Sequence, residues 1–551
     1  RITAGEFTMP YRAESRGRRA EGRERAESGG QRPESRCRRL LFAGLLLLIG
    51  TGSAAAEDWP QFRGPNCNGV STSKKHLPAK FSKSENVHWM AELGDAVSSP
   101  SVANGRVFST AMLGPRDGKQ KFVVFAFDVA SGRPLWRKEF DPGPKPLPAI
   151  QETNSYASAT PAADAERVYV YFTRLGLLAL DAKTGDKLWQ HPLPEPFYIF
   201  DWGPGASPVL FKDMVLFCQD DDVSPALYAV DKRTGELLWK DDRSDMAVSY
   251  SHPVICETPK GPEIVVAGTG KLLGYDPATG KRRWAAELFC RNIKTTPVSH
   301  NGIVYVSVES TGISYQWRAV ADLNGDGKIT REEIKASRKD KGAGIPEAFW
   351  KKFERGDVNK DGVLEGDEID KAFLDPSNQG GLLDREVQAR GGKQSDWKKW
   401  DDELQKAASI QAVRGGGRGD VSRTHRLWKI TNKAPDHLVS PLLVDGRLLL
   451  IKSQGLSSCF ETSKGKQLWY HERIGNASSH LASPVSGDGK IYVAGENGKV
   501  VVLASGPKLN VLARNDMGES IIGTPAIADG RLFIRTRTRL YCIEERSLNR
   551  R

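Results

Sequence analysis

The sequence predicts an all-β fold: an eight-bladed β-propeller closed by its N- and C-terminal strands, with one small α-helical insertion late in the chain. Three observations predict it. A turn phrase ending on tryptophan recurs, as in Asp181-Ala-Lys-Thr-Gly185-Asp-Lys-Leu-Trp189. A second phrase, opening on Ser-Pro or Thr-Pro, precedes the copies, as in Ser99-Pro-Ser-Val-Ala-Asn-Gly105. The tryptophans lie 41–53 residues apart from Trp89 to Trp284 and from Trp428 to Trp469, the period of four-stranded blades.

From the N-terminus, residues 1–56 read as a leader and signal peptide. Arg36, Arg38 and Arg39 precede the apolar run 40–49, and Ala54-Ala55-Ala56 supplies small residues for cleavage, the three parts of a secretory signal. The run is too short to span a bilayer. The mature chain is expected to begin at Glu57, to be exported to the periplasm or cell exterior, and to keep no transmembrane span; Met9 is a candidate start. The net charge of +12 is uneven, because eleven arginines face six glutamates in residues 1–56. The rest shows no basic stripe and no aromatic-basic motif, which argues against a nucleic-acid partner.

The turn phrase has five copies, starting at Asp128, Asp181, Asp231, Asp276 and Glu461. In each, the acid and hydroxyl side chains cap the turn, glycine takes the positive-φ position, and the next strand ends on Trp. The repeated tryptophans are expected to pack between blades. Successive units give seven blades. The strands from Thr524 to Glu545 form an eighth that lacks one strand, and the segment around Val87-His88-Trp89 is expected to supply it, leaving no open edge. The interval of 144 residues from Trp284 to Trp428 holds one blade plus an insertion of roughly 100 residues. The expected division is 1–56 leader and signal peptide, 57–311 propeller, 312–414 insertion, and 415–551 propeller.

Two twelve-residue loops in the insertion carry cation chemistry. The first places oxygen donors at Asp322, Asn324, Asp326, Thr330 and Glu333, with Gly327 at the sharp turn and the carbonyl of Lys328 pointing inward. The second repeats this with Asp357, Asn359, Asp361, Glu365 and Glu368, Gly362, and the carbonyl of Val363. This is the EF-hand pattern, in which about seven oxygens gather on Ca²⁺ and the twelfth residue closes the sphere with both carboxylate oxygens. Ile329 and Leu364 are expected to pair between the loops. Trp317 and Val320, then Phe349, Trp350 and Phe353, then Ile369 and Phe373 suggest flanking helices, and 395–404 a further one. The stretch Arg414-Gly-Gly-Gly-Arg-Gly419-Asp420 reads as a flexible hinge rather than an adhesion motif.

Cys67, Cys218, Cys256, Cys290, Cys459 and Cys542 permit disulfides in an exported chain, while their apolar strand settings fit buried thiols equally well. His88, His252 and His425 flank strand ends and are expected to pack or face solvent.

With these phrases in place, the chain resembles the pyrroloquinoline-quinone (PQQ)-type propeller repeat of quinoprotein alcohol dehydrogenases and of the outer-membrane assembly factor BamB. The opening Asp58-Trp59-Pro60-Gln61-Phe62-Arg63-Gly64-Pro65-Asn66 is similar to secreted propellers of planctomycete-type bacteria. The resemblance implies the fold and leaves activity open. The dehydrogenases of this family usually carry a vicinal cysteine pair, a central calcium held by carboxylates and amides, and an aspartate base. No two cysteines are adjacent here, and acidic runs such as Asp220-Asp221-Asp222 fit ordinary propeller surface. The expected function is a calcium-binding, non-catalytic interaction or scaffold propeller for a protein or polysaccharide partner. The alternatives are a PQQ-dependent alcohol or sugar dehydrogenase, or another enzyme using the central funnel.

Overall fold

The computed structural model describes residues 57–114, 119–198, 201–246, 249–288, 293–308, 321–337, 344–366, 368–369, 372, 408–431 and 438–545. The leader 1–56, Cys290, Trp317, Val320, Phe373 and the helix expected at 395–404 lie outside the described residues.

Eight sheets form the propeller, each with four antiparallel strands, and one of them carries a fifth, parallel strand. In chain order the blades take their strands from residues 101–140, 162–191, 209–242, 254–287, 298–308 with 409–431, 442–473, 485–516 and 526–543. The eighth takes Val87–Glu92 as its outer strand, antiparallel to Arg539–Ile543, with Trp89 opposite Cys542. Closure therefore mixes both ends of the chain, as the strand count requires. The third strands, such as Lys121–Asp128, are buried on both faces because blades stack face to face. Outer strands such as Lys187–His191 bury only their tryptophan, while the inner ones read as unbroken apolar runs.

The turn phrase has a physical reason. Trp136 of the first blade packs on Gly185 of the second and donates from Nε1 to Ala182 O at 3.1 Å. A Cβ at Gly185 would lie 2.7 Å from the indole, and its φ is +75°. Trp89 on Gly132, Trp189 on Gly235, Trp239 on Gly280 and Trp428 on Gly465 repeat the contact. The four aspartates cap their own turns, as Asp181 Oδ1 accepts from Lys183 N and Thr184 N at 2.8 Å. Where the following blade lacks the phrase, the indole turns to its own blade: Trp284 donates to Glu263 and Trp469 to Ser457. The expected packing role of the repeated tryptophans thus holds, with the glycine as its other half.

Two expectations are corrected. Ser409–Arg414 is a propeller strand paired with Ile303–Val308, so the propeller resumes at Ser409 and not at 415. Its residues Ser409–Val413 are buried on both faces, which continues the blade's pattern. The glycine-rich stretch is no free hinge: Gly419–Asp420 pairs in parallel with Trp284 and Ala285, and Gly416 N donates to Glu263 Oε2 at 2.9 Å. Cys67, Cys218, Cys256, Cys459 and Cys542 are free and buried, the thiol reading rather than the disulfide one.

The segment after Glu57 closes one end of the ring by bonding to successive innermost strands. Trp59 N donates to Val102 O, Ala163 N to Pro60 O, and Leu210 N to Gln61 Oε1. Ile255 N donates to Asn66 Oδ1, Ser299 N to Asn68 Oδ1, Arg63 Nη2 to Pro441 O, and Ser71 N to Ser486 O. One short segment thereby ties seven blades together.

Candidate functional site

Above this segment, a cavity of about 520 Å³ lies between the inner ends of the blades. The Ser-Pro and Thr-Pro phrases build its wall. The residue before each proline forms a ring: Ser99, Thr160, Ser207, His252, Thr296, Ser440, Ser483 and Thr524, one per blade, all lining the cavity. Seven consecutive links are hydrogen bonds from a backbone N–H to the next blade's side chain, from Ser99 N to Thr160 Oγ1 at 3.1 Å through Ser483 N to Thr524 Oγ1 at 3.0 Å. Proline ends this motif for a reason: it fixes the extended entry into the strand and contributes no competing N–H.

His252 stands where every other blade has a hydroxyl, a role sequence reasoning missed. It is buried, 4 % exposed, its Nε2 accepts from Ser207 N at 3.0 Å, and its Nδ1 lies 2.9 Å from Thr296 Oγ1. With Nε2 accepting, the ring proton sits on Nδ1. Phe62 reaches in from the closing segment and stacks on the imidazole at 4.3 Å. Burial, aided by the Arg63 charge, pushes this histidine down to about 3, so it is neutral at physiological pH. The signal was legible as the lone His-Pro among the Ser-Pro and Thr-Pro phrases. His88 and His425 match their expected roles at exposed strand ends.

The far wall is the segment Trp202-Gly203-Pro204-Gly205 together with Tyr250 and Lys294, whose Nζ lies 3.2 Å from the Trp202 ring centroid. Lys294 is the only charged side chain among the described lining residues, and none of them is a carboxylate. The acidic run is not surface, contrary to expectation. Asp220 pairs bidentately with Arg243, both side chains fully buried, and Asp221 accepts from Phe197 N at 2.9 Å and Ser224 N at 2.6 Å. Burial pushes Asp221 up to about 6.

The insertion holds both twelve-residue loops. Helix α1 (Arg331–Ser337) follows the first, and α2 (Glu347–Gly356) precedes the second. Strands Lys328–Thr330 and Val363–Glu365 pair antiparallel with Ile329 opposite Leu364, as expected. Each first-position aspartate accepts from its loop's glycine, Asp322 Oδ2 from Gly327 N at 2.9 Å and Asp357 Oδ2 from Gly362 N at 3.0 Å. Asn324 and Asn359 amides donate to Asp326 and Asp361. The twelfth-position carboxylates fold back over their loops: Glu333 accepts from Leu323 N and Thr330 N, Glu368 from Val358 N and Glu365 N. Glu365 turns away to pair with Lys328 Nζ at 2.8 Å. The described side chains are not gathered as three carboxylates on one point; they cap loop N–H groups singly. One atom fits a cation directly: Asp357 Oδ1 is buried with no hydrogen-bond partner, at the position that leads an EF-hand donor set.

The insertion packs on the propeller. Its core of Ile329, Ile334, Phe349, Phe353, Leu364 and Ile369 includes Phe197 from the loop between the second and third blades, with Val223 beside it. Phe197 and Phe349 have ring centroids 5.5 Å apart.

The family model described as outer membrane protein assembly factor BamB matches residues 71–200, 202–341 and 422–551. The chain is 32% identical over 115 residues to an endoplasmic reticulum-resident calcium binding protein of Plasmodium falciparum, covering 20% of this chain and 33% of that protein. It is 30% identical over 166 residues to quinohemoprotein alcohol dehydrogenase ADH IIB of Pseudomonas putida, covering 28% and 24%. It therefore spans a third or less of the length of these relatives. Among solved structures, BamB from Moraxella catarrhalis aligns at 12% identity and TM-score 0.48, covering 84% of this chain and 99% of that one.

Proposed function

The chain belongs to the family of the outer membrane protein assembly factor BamB, and from that premise we propose that it is an exported, calcium-binding, non-catalytic interaction propeller. The observation that carries this reading is the lining of the central cavity. A quinone-dependent dehydrogenase of the related kind needs carboxylates there to hold its calcium and to take the alcohol proton. The described lining offers hydroxyls, amides, one lysine and a neutral histidine, none of them suited as that base or as an anionic ligand. The five described cysteines stand apart in separate strands and loops. The residues present do not fit the quinone site.

The calcium assignment rests on the twelve donors Asp322, Asn324, Asp326, Lys328 carbonyl, Thr330, Glu333, Asp357, Asn359, Asp361, Val363 carbonyl, Glu365 and Glu368. It is supported by the paired loops and by the orphaned Asp357 oxygen. Similarity to a protein described as calcium binding supports it further. At the ~10⁻⁴–10⁻³ M affinities of extracellular modules, such loops are filled wherever calcium is millimolar, so the ion acts as a standing part of the fold. The partner is a protein or polysaccharide of the cell envelope. Dye reduction with small alcohols, after adding PQQ and calcium to the purified chain, tests the reading. No turnover is expected; saturable quinone-dependent turnover overturns it.

A further inference from the structure

We propose that calcium in the two loops orders the wall of the central cavity, through Phe197, Tyr198 and Tyr250. This inference rests on the calcium-loop reading above. Three contacts form a continuous route. Ile329 and Leu364, each next to a residue whose carbonyl is assigned above as a calcium donor, share one buried core with Phe197. Phe197 is held from the propeller side by its own backbone, donating to Asp221 Oδ2 at 2.9 Å and accepting from Asp222 N at 2.9 Å. Tyr198, the next residue, stacks on Tyr250 at 5.6 Å, and Tyr250 with Trp202 to Gly205 forms the cavity wall.

The energetics favour coupling. A module with this few buried apolar residues does not hold itself together by burial alone. The bound ion and the Phe197 contact therefore stabilise the same small core. Calcium ligation fixes Glu333 and Glu368, which neighbour Ile334 and Ile369 of that core. Ordering the core then fixes Phe197, and Tyr198 beside it carries the constraint to Tyr250 of the wall. The coupling is reciprocal: whatever occupies the cavity against Tyr250 and Trp202 raises calcium affinity by the same factor.

Hydrogen exchange of the full chain with and without calcium, with binding followed by calorimetry, tests this. Amides of residues 201–207 are expected to exchange about fivefold or more slowly with calcium, while those of 526–535 in the eighth blade stay unchanged. In Phe197→Ala, calcium heat is retained and the slowing at 201–207 is lost. Calcium heat without slowing at 201–207 overturns the coupling alone. Equal slowing in both segments also overturns it, because that is mass-action stabilisation of the whole fold. Retained slowing in Phe197→Ala overturns the route, and absence of calcium heat overturns the calcium-loop reading and the coupling with it.

Discussion

Replacing His252 tests whether the ring around the cavity is a cooperative structural element. His252→Ala removes a buried ring that stacks on Phe62, accepts from Ser207 N and bonds Thr296 Oγ1. Truncating a buried aromatic ring costs about 3–5 kcal/mol. His252→Ser restores the residue type found in the other blades, whose hydroxyls accept the preceding N–H at similar distances. It should therefore be less destabilising than alanine by about 1 kcal/mol, one hydrogen bond. The imidazole adds a pH signature. Its folded pKa is depressed to about 3 from an ordinary 6.5, so its contribution is full above 6.5 and is lost as pH falls towards 3. From pH 7.5 to 4.5 the wild type loses about 3 kcal/mol through this group, and neither variant should. Asp221 titrates oppositely in the same window, so wild type and variant must be compared at each pH. Urea unfolding at both values reads the difference. Equal losses for Ala and Ser, with no change in acid sensitivity, would refute the ring argument.

Other substitutions probe the blade contacts. Gly185→Ala should cost about 2–4 kcal/mol, combining positive-φ strain with displacement of Trp136, whereas Gly489→Ala, also at positive φ but with open space around it, should cost about 1–2; thermal melts of the pair separate the two terms. Asp220→Ala leaves the buried Arg243 guanidinium without its carboxylate and should cost about 3–5 kcal/mol by denaturant unfolding. Asp221→Asn should flatten part of the pH profile: with its folded pKa raised to about 6, this carboxyl's contribution is present below about 4 and lost as pH rises through 6, a loss of about 3 kcal/mol that stability measurements at pH 4 and 7 would find missing in the variant.

Much of this architecture was legible because propeller blades repeat their local chemistry. The Thr-Gly turn and its Trp report a contact between neighbouring blades that recurs five times, so spacing alone counts blades and finds the closing strand at Val87–Glu92. The pairing of the two twelve-residue loops was legible for a similar reason, since a fixed spacing of polar residues and glycine is a local requirement. Three features escaped. Asp220 to Asp222 look like a surface run, yet Arg243 lies 23 residues away in sequence and only the fold brings it to Asp220. Ser409–Arg414 lacks the turn phrase, so the strand was hidden inside the insertion. The docking of the insertion on Phe197 depends on side chains more than a hundred residues apart, for which periodicity carries no signal.

The proposed function stands on calcium binding by the paired loops of this propeller. Calorimetric titration of the full chain with calcium chloride, beside a Glu333→Gln/Glu368→Gln variant, tests it most directly. Saturable heat from two sites is expected in the wild type, sharply weakened in the variant, whose carboxamides present one acceptor oxygen each in place of two. Absence of heat from the folded wild type, or identical titrations for both proteins, would contradict it.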